Sequence, residues 1–144
     1  MNRHIRIASF DIGKKNFAFY TEDFNIDKLI KLKDNYLSIP KCHRKKVGGV
    51  LTPSIKKILN KMYIYSKRVP KGMGVFDLRK YNDDILDIHI RFNMYKLLES
   101  YMWLWETVDI ICIEQQFFSI PSRHTKGGAN MDAIKIAESL YSWF

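Results

Sequence analysis

Two cysteines in 144 residues, Cys42 and Cys112, are too few for a disulfide scaffold or a four-cysteine zinc site. Cys112 lies in an apolar run and reads as a buried thiol, which suits a reducing, intracellular compartment. Long apolar runs are missing too. No stretch of about eighteen uncharged apolar residues occurs, so no membrane-spanning helix is expected. The first apolar stretch runs only from Ile7 to Phe10, too short for the core of a secretory leader. His4, His43, His89 and His124 share no metal-ligand spacing, and Ser119 and Ser122 carry no signature of an activated nucleophile. Repeats and low-complexity tracts are absent. What is present is apolar substance: 47% of the chain is hydrophobic and 14% aromatic, enough for one domain with a real core.

Acidic residues are scarce in one region. Residues 41–80 hold twelve Lys and Arg against a single acid, Asp77, and so carry +11, while the remainder, with twelve bases and fourteen acids, carries −2. The overall charge of +9 is therefore concentrated. A field this lopsided suits a polyanion, because each cation that neutralises a phosphate releases counterions. An anionic membrane surface fits less well, since no segment there pairs a basic face with a clean apolar one.

Along the chain, Ile5 to Phe10 reads as a strand, Asp11-Ile12-Gly13 as a tight turn, and Asn16 to Thr21 as a second strand, forming an antiparallel hairpin. Leu29 to Leu32 suggests a third strand. Residues 35–83 read as a basic insertion broken by Pro40, Gly48-Gly49, Pro53, Pro70, Gly72 and Gly74, with one helix from Ser54 to Tyr65 started by Pro53. A long helix is predicted from Asp84 to Glu106, with Ile88, Phe92, Tyr95, Leu98, Met102 and Trp105 as its core stripe. Val108 to Ile113 has the β-branched, apolar character of a buried central strand. After a polar loop, a helix capped by Asn130 and carrying Asp132 in its first turn buries Ile134, Ala137, Leu140, Tyr141 and Phe144. Its pattern is still running at Phe144, so the domain is expected to be incomplete at its C-terminus.

Two acids follow apolar strands directly, Asp11 the first and Glu114 the last. An acid in such a place is costly unless it is solvated, paired or bound to a cation. If the strands are neighbours, both carboxylates leave the same edge of the sheet, where a hard divalent cation, Mg²⁺ or Mn²⁺, relieves their repulsion. Such a site facing a phosphodiester can hold an attacking water and a leaving oxygen. Gly13 would let the backbone approach a phosphate closely, Gln115 and Gln116 could orient a water, and Gly127-Gly128 before a helix could bind a phosphate.

Ile7-Ala8-Ser9-Phe10-Asp11-Ile12-Gly13-Lys14-Lys15-Asn16 resembles the first-strand motif of RuvC-like Holliday junction resolvases, in the poxvirus-type branch of large DNA viruses. Ile111-Cys112-Ile113-Glu114-Gln115-Gln116 is similar to their second acidic motif, and Met131 to Phe144 to the helix after it. The resemblance implies an α/β, RNase H-like mixed sheet flanked by helices. It also implies a Mg²⁺-dependent (or Mn²⁺-dependent) endonuclease that nicks four-way DNA junctions as a homodimer, in a host cytoplasm or viral replication compartment. Asp11 and Glu114 would be the catalytic metal ligands. Lys14, Lys15 and the basic segment, with Arg44, Lys45, Lys46, Lys56, Lys57, Lys67, Arg68 and Lys71, would face DNA. The family pattern adds a further strand and a helix with two more aspartates, so this chain holds half of the expected carboxylate set. It is expected to bind DNA and cleave poorly. The competing expectations are a non-catalytic DNA-binding module of the same fold and a sugar-kinase or actin-like phosphotransferase, whose first strand also ends in Asp-x-Gly.

Overall fold

A computed structural model describes residues 3–44, 50–79, 88–114 and 131–144. Strand β1 (His4–Asp11) turns back into β2 (Phe17–Asn25), as the alternating apolar pattern predicts, and the two pair antiparallel from His4↔Asn25 to Asp11↔Ala18. Asn25 then starts a helix, α1 (Ile26–Ser38), by accepting a hydrogen bond from the Lys28 backbone N–H. The strand expected at Leu29 to Leu32 is therefore helical. A run of four residues, three of them apolar, does not distinguish the two states, and Leu29, Leu32 and Tyr36 recur at helical spacing against the next helix. That helix, α2 (Pro53–Tyr65), begins with proline in its first turn, as expected.

The largest departure lies in the basic stretch. Ser66–Phe76 is an eleven-residue strand, β3, paired antiparallel with β2. Part of the supposed insertion thus belongs to the sheet. Pro70, Gly72 and Gly74 argue against a central strand, but among the described residues β3 is an edge, where proline is tolerated. The chain also bulges there. Between the pairs Tyr20↔Met73 and Glu22↔Arg68, Thr21 alone faces Val69 to Gly72. Lys71 takes up the excess in a left-handed conformation, φ 58°. Gly72 is required by close approach: a Cβ there would lie 2.9 Å from Val69 Cβ and 3.0 Å from Thr21 Cβ.

Helix α3 (Ile88–Ser100) ends at Tyr101, whose N–H bonds back to Leu98 O at 3.0 Å, and a single turn, α4 (Met102–Trp105), comes next. Its buried face is Ile90, Met94 and Leu98, continued by Leu104 and Trp105. The predicted stripe is met in part: Leu98 and Trp105 are buried and Tyr95 packs against the core, but Ile88 is 77% exposed, Phe92 54% and Met102 49%. The helix is apolar on several faces, so spacing alone leaves two stripes open, and the break at Tyr101 rotates α4 relative to α3. Strand β4 (Ile110–Ile113) runs parallel to β1, and α5 (Met131–Trp143) buries Ala133, Ile136, Ala137 and Leu140 while Tyr141 stays exposed. The fold is α/β, a mixed sheet in the order β3-β2-β1-β4.

Helices α3, α4 and α5 cover one face of the sheet. Ala8, Phe10, Phe17, Phe19 and Val69 meet them in one core, with Phe19 edge-on to Tyr101 and Trp105 and stacked on Phe76. The Trp105 indole N–H is satisfied by Leu98 O at 2.8 Å. On the opposite face Ser9, Asp11, Met73 and Val75 are exposed. So are Ile110 and Cys112 of β4, which pairs only with β1 among the described residues. The buried thiol and buried central strand expected here are thus not found.

Candidate active site and basic surface

The parallel pairing of β1 with β4 brings the two acids together. Phe10 pairs with Ile113, and the Glu114 N–H donates to Phe10 O at 3.1 Å, so Asp11 and Glu114 occupy the next positions on adjacent strands. Adjacent strands lie about 4.8 Å apart. Both residues are exposed. Asp11 follows the core-facing Phe10 and so emerges on the open face, at the rim of a groove of about 360 Å³ lined by Ser9, Ala18, Tyr20, Met73 and Val75. Two hard oxygen donors suit Mg²⁺, which is commonly held by one or two carboxylates and completes its shell with water. Among the described residues no group of three His, Cys, Asp or Glu is placed to hold a metal ion, so Asp11 and Glu114 could supply at most two ligands. A divalent cation held by them would offset phosphate charge and acidify a bound water.

Next to the pair, the β1–β2 turn is fastened from two sides. Leu78 N–H donates to Lys14 O at 2.8 Å, and Lys14 Nζ meets Asp132 Oδ2, at the start of α5, at 2.7 Å. Asp132 was legible only as a first-turn acid; nothing in its local pattern names a partner so distant in sequence. Arg79 grips Asp77 through both carboxylate oxygens, at 2.9 and 2.6 Å. These hydrogen bonds, helped by the charges of Arg79 and Lys15, lower the Asp77 carboxyl to about 2. Gly13 is not demanded by the turn, since a Cβ would meet only ordinary contacts of 3.5 Å or more with Asn16. Gln115, Gln116, Ser119, Ser122, His124, Gly127-Gly128 and Asn130 lie outside the described residues.

Most of the predicted DNA contacts lie elsewhere. Lys56 and Lys57 are exposed on α2, and Lys67 and Arg68 begin β3 opposite Asp23 and Glu22. Asp23 and Glu22 in turn pair with Arg6 and Ile7, so Lys67 and Arg68 lie roughly 13–17 Å from Asp11 in the strand direction and two strands to the side. Lys71 is exposed at the bulge between the two ends. Arg44 has an internal role: its guanidinium donates to Ile39 O at 2.7 Å and to Leu37 O, and lies over the Tyr36 ring at 5.2 Å, closing the end of α1. Lys45 and Lys46 lie outside the described residues. Lys14 and Lys15 alone of the predicted cations are on the carboxylate turn.

The basic end also holds a cavity of about 460 Å³ between α1, α2 and the strands, lined by His4, Asp23, Lys28, Lys31, Tyr65 and Lys67 among others. Asp23 is held there by Arg6, Nε to Oδ1 at 2.7 Å and Nη2 to Oδ2 at 2.9 Å. The hydrogen bond from Arg6 keeps the Asp23 carboxyl below the usual aspartate range, against the opposing effect of burial. Among the described residues, no helix is long and apolar enough to cross a membrane. No family model, curated protein or solved structure matches the chain.

Proposed function

We propose that the protein is a structure-specific, metal-dependent DNA endonuclease of the RuvC-like resolvase kind, built on an RNase H-like core. The observation that carries this reading is the β1–β4 register, which sets Asp11 and Glu114 side by side at one sheet edge. The mixed sheet with helices packed on it is compatible with such a core. The substrate is branched DNA, four-way junctions first, read through phosphates and shape more than base edges. Mg²⁺ or Mn²⁺ is the cofactor, and a homodimer would match two sites to two symmetric nicks. With two carboxylates in the described site, the isolated chain binds DNA and cleaves weakly or not at all.

A second reading is supported by the separation of the basic surface from the carboxylates: a DNA-binding module of the same fold that does no chemistry. One set of measurements separates the two. Binding of a four-way junction is compared with linear duplex of the same sequence, and nicking is followed with Mg²⁺ or Mn²⁺. Under the nuclease reading the junction binds preferentially, Asp11→Asn and Glu114→Gln retain binding, and whatever nicking occurs is lost in both. Lys67→Glu with Arg68→Glu weakens binding and lowers the salt slope by about 0.9 for each phosphate contact removed. Nicking indifferent to Asp11→Asn refutes the site. Junction binding without any metal-dependent nicking favours the module. Robust nicking that Asp11→Asn abolishes overturns the expectation of weak cleavage.

A further inference from the structure

Lys14 lies in the turn three residues after Asp11, and its ammonium is already engaged. Its partner Asp132 is 118 residues away in sequence, at 2.7 Å, and the two side chains keep 20% and 33% of their exposure. The contact ties the start of α5 to the turn that follows Asp11. We propose that Asp132 is an exchangeable counter-ion of Lys14: when a backbone phosphate reaches the Asp11–Glu114 edge, the ammonium leaves the carboxylate for the phosphate. The inference rests on the nucleic-acid reading above.

Three features support the exchange. The Lys14 backbone is held independently by Leu78, so the turn keeps its course when the side chain moves. A lysine ammonium is a point charge on a flexible stem, and it changes partners without the geometric loss that a forked arginine contact suffers. A partly exposed ion pair is also weak enough to be displaced by a phosphate. In the unbound state the pair offsets the charge of a cation on the turn that follows Asp11. On binding, the freed Asp132 faces the polyanion and opposes it, so the residue acts through Lys14 as a brake on affinity.

The test is a double-substitution cycle on the full chain, with a synthetic four-way junction as probe. Asp132→Asn is expected to bind roughly three- to five-fold tighter. Lys14→Gln is expected to bind more weakly and to lower the salt slope by about 0.9. In the Lys14→Gln background, Asp132→Asn is expected to change affinity less than about two-fold, because its effect passes through Lys14. Equal tightening in both backgrounds makes Asp132 a general surface charge and overturns the proposal, as does unchanged or weaker binding by Asp132→Asn. Asp132→Ser, also compatible with a helix start, repeats the measurement, and thermal melting checks that each variant folds. If the unsubstituted chain binds no junction, the functional reading fails and this one with it. If it binds and the two substitutions are additive, only the exchange is lost.

Discussion

Where β1 and β4 finish, the sheet rests on the main core: Phe10, Phe17 and Phe19 lie beneath Asp11, packed with Trp105, Met94 and Leu140. Where β1 begins, β2 and β3 run into α1 and α2, and these two helices pack chiefly on each other. Leu32 and Ile55 are buried between them, outside the main core, beside an apolar groove of about 420 Å³ lined by Leu29, Tyr36, Ile58, Leu59 and Met62. The carboxylates therefore sit on the better-anchored end and most of the cations on the looser one. That division is physically sensible. Under the proposed function, ligands for a metal would need fixed positions, whereas phosphate contacts would tolerate movement because charge attraction is not directional.

The largest expected effects come from emptying each core in turn. Phe19→Ala removes a ring that meets Phe10, Phe76, Tyr101 and Trp105, and should cost about 3–5 kcal/mol and unfold both ends together. Leu32→Ala should cost about 2 kcal/mol, the low end for such truncations, because its site already opens onto the groove. Denaturant titration gives the two values and amide exchange gives their reach. The comparison holds if Leu32→Ala speeds exchange in α1 and α2 while β1 and β2 stay protected. It breaks if protection falls equally everywhere.

Acid should act on the same division. In the unfolded chain the Asp23 carboxyl titrates near the ordinary value of about 3.9. In the folded chain Arg6 holds it lower, so the unfolded state takes up the proton first as pH falls. The stability from this pair is complete above the ordinary value and drains as pH drops through it toward the depressed one. The Arg6 guanidinium also reaches Thr107 Oγ1 at 2.7 Å, so the pair braces β1, β2 and the approach to β4. The expected contribution is on the order of 1 kcal/mol, reduced by partial exposure. Melting curves between pH 6 and about 2.5 should show Asp23→Asn less stable than the parent at neutral pH, with the gap closing in acid. A gap that stays constant with pH would show that the pair contributes no pH-dependent stability.

The parts of this molecule that were legible in sequence are those specified by short-range pattern. The β1–β2 hairpin, the proline-started α2 and the apolar run of β4 each announce themselves within a dozen residues, and the position of an acid after each of two strands marked Asp11 and Glu114. What was not legible depends on neighbours. The four apolar-rich residues Leu29 to Leu32 are helical because Asn25 caps the turn before them. Pro70, Gly72 and Gly74 sit in a strand because that strand is at an edge and bulges. Cys112 is exposed because, among the described residues, nothing is paired on the outer side of β4. Asp132 belongs to the site's surroundings through one distant cation, which no local spacing records.

The smallest expected effect lies at the bulge, between the two ends. Thr21 is fully buried and its Oγ1 has no hydrogen-bond partner among the described residues. The β3 backbone that would normally run alongside it bows away through Pro70 and Lys71, while Val69 and Gly72 close over the side chain. A buried hydroxyl without a partner forfeits its hydration with no return, a penalty of about 1–3 kcal/mol. Valine has nearly the same shape and no such group. Thr21→Val should therefore stabilise the chain by about 1 kcal/mol, less than the full penalty because the added methyl presses on Gly72. The denaturation midpoint should rise with an unchanged slope, since the surface exposed on unfolding is nearly the same. A loss of stability instead would mean that the hydroxyl is satisfied in solution, by a water reaching it through the bulge, and that the joint between the two ends is more open than the packing of Val69 and Gly72 indicates.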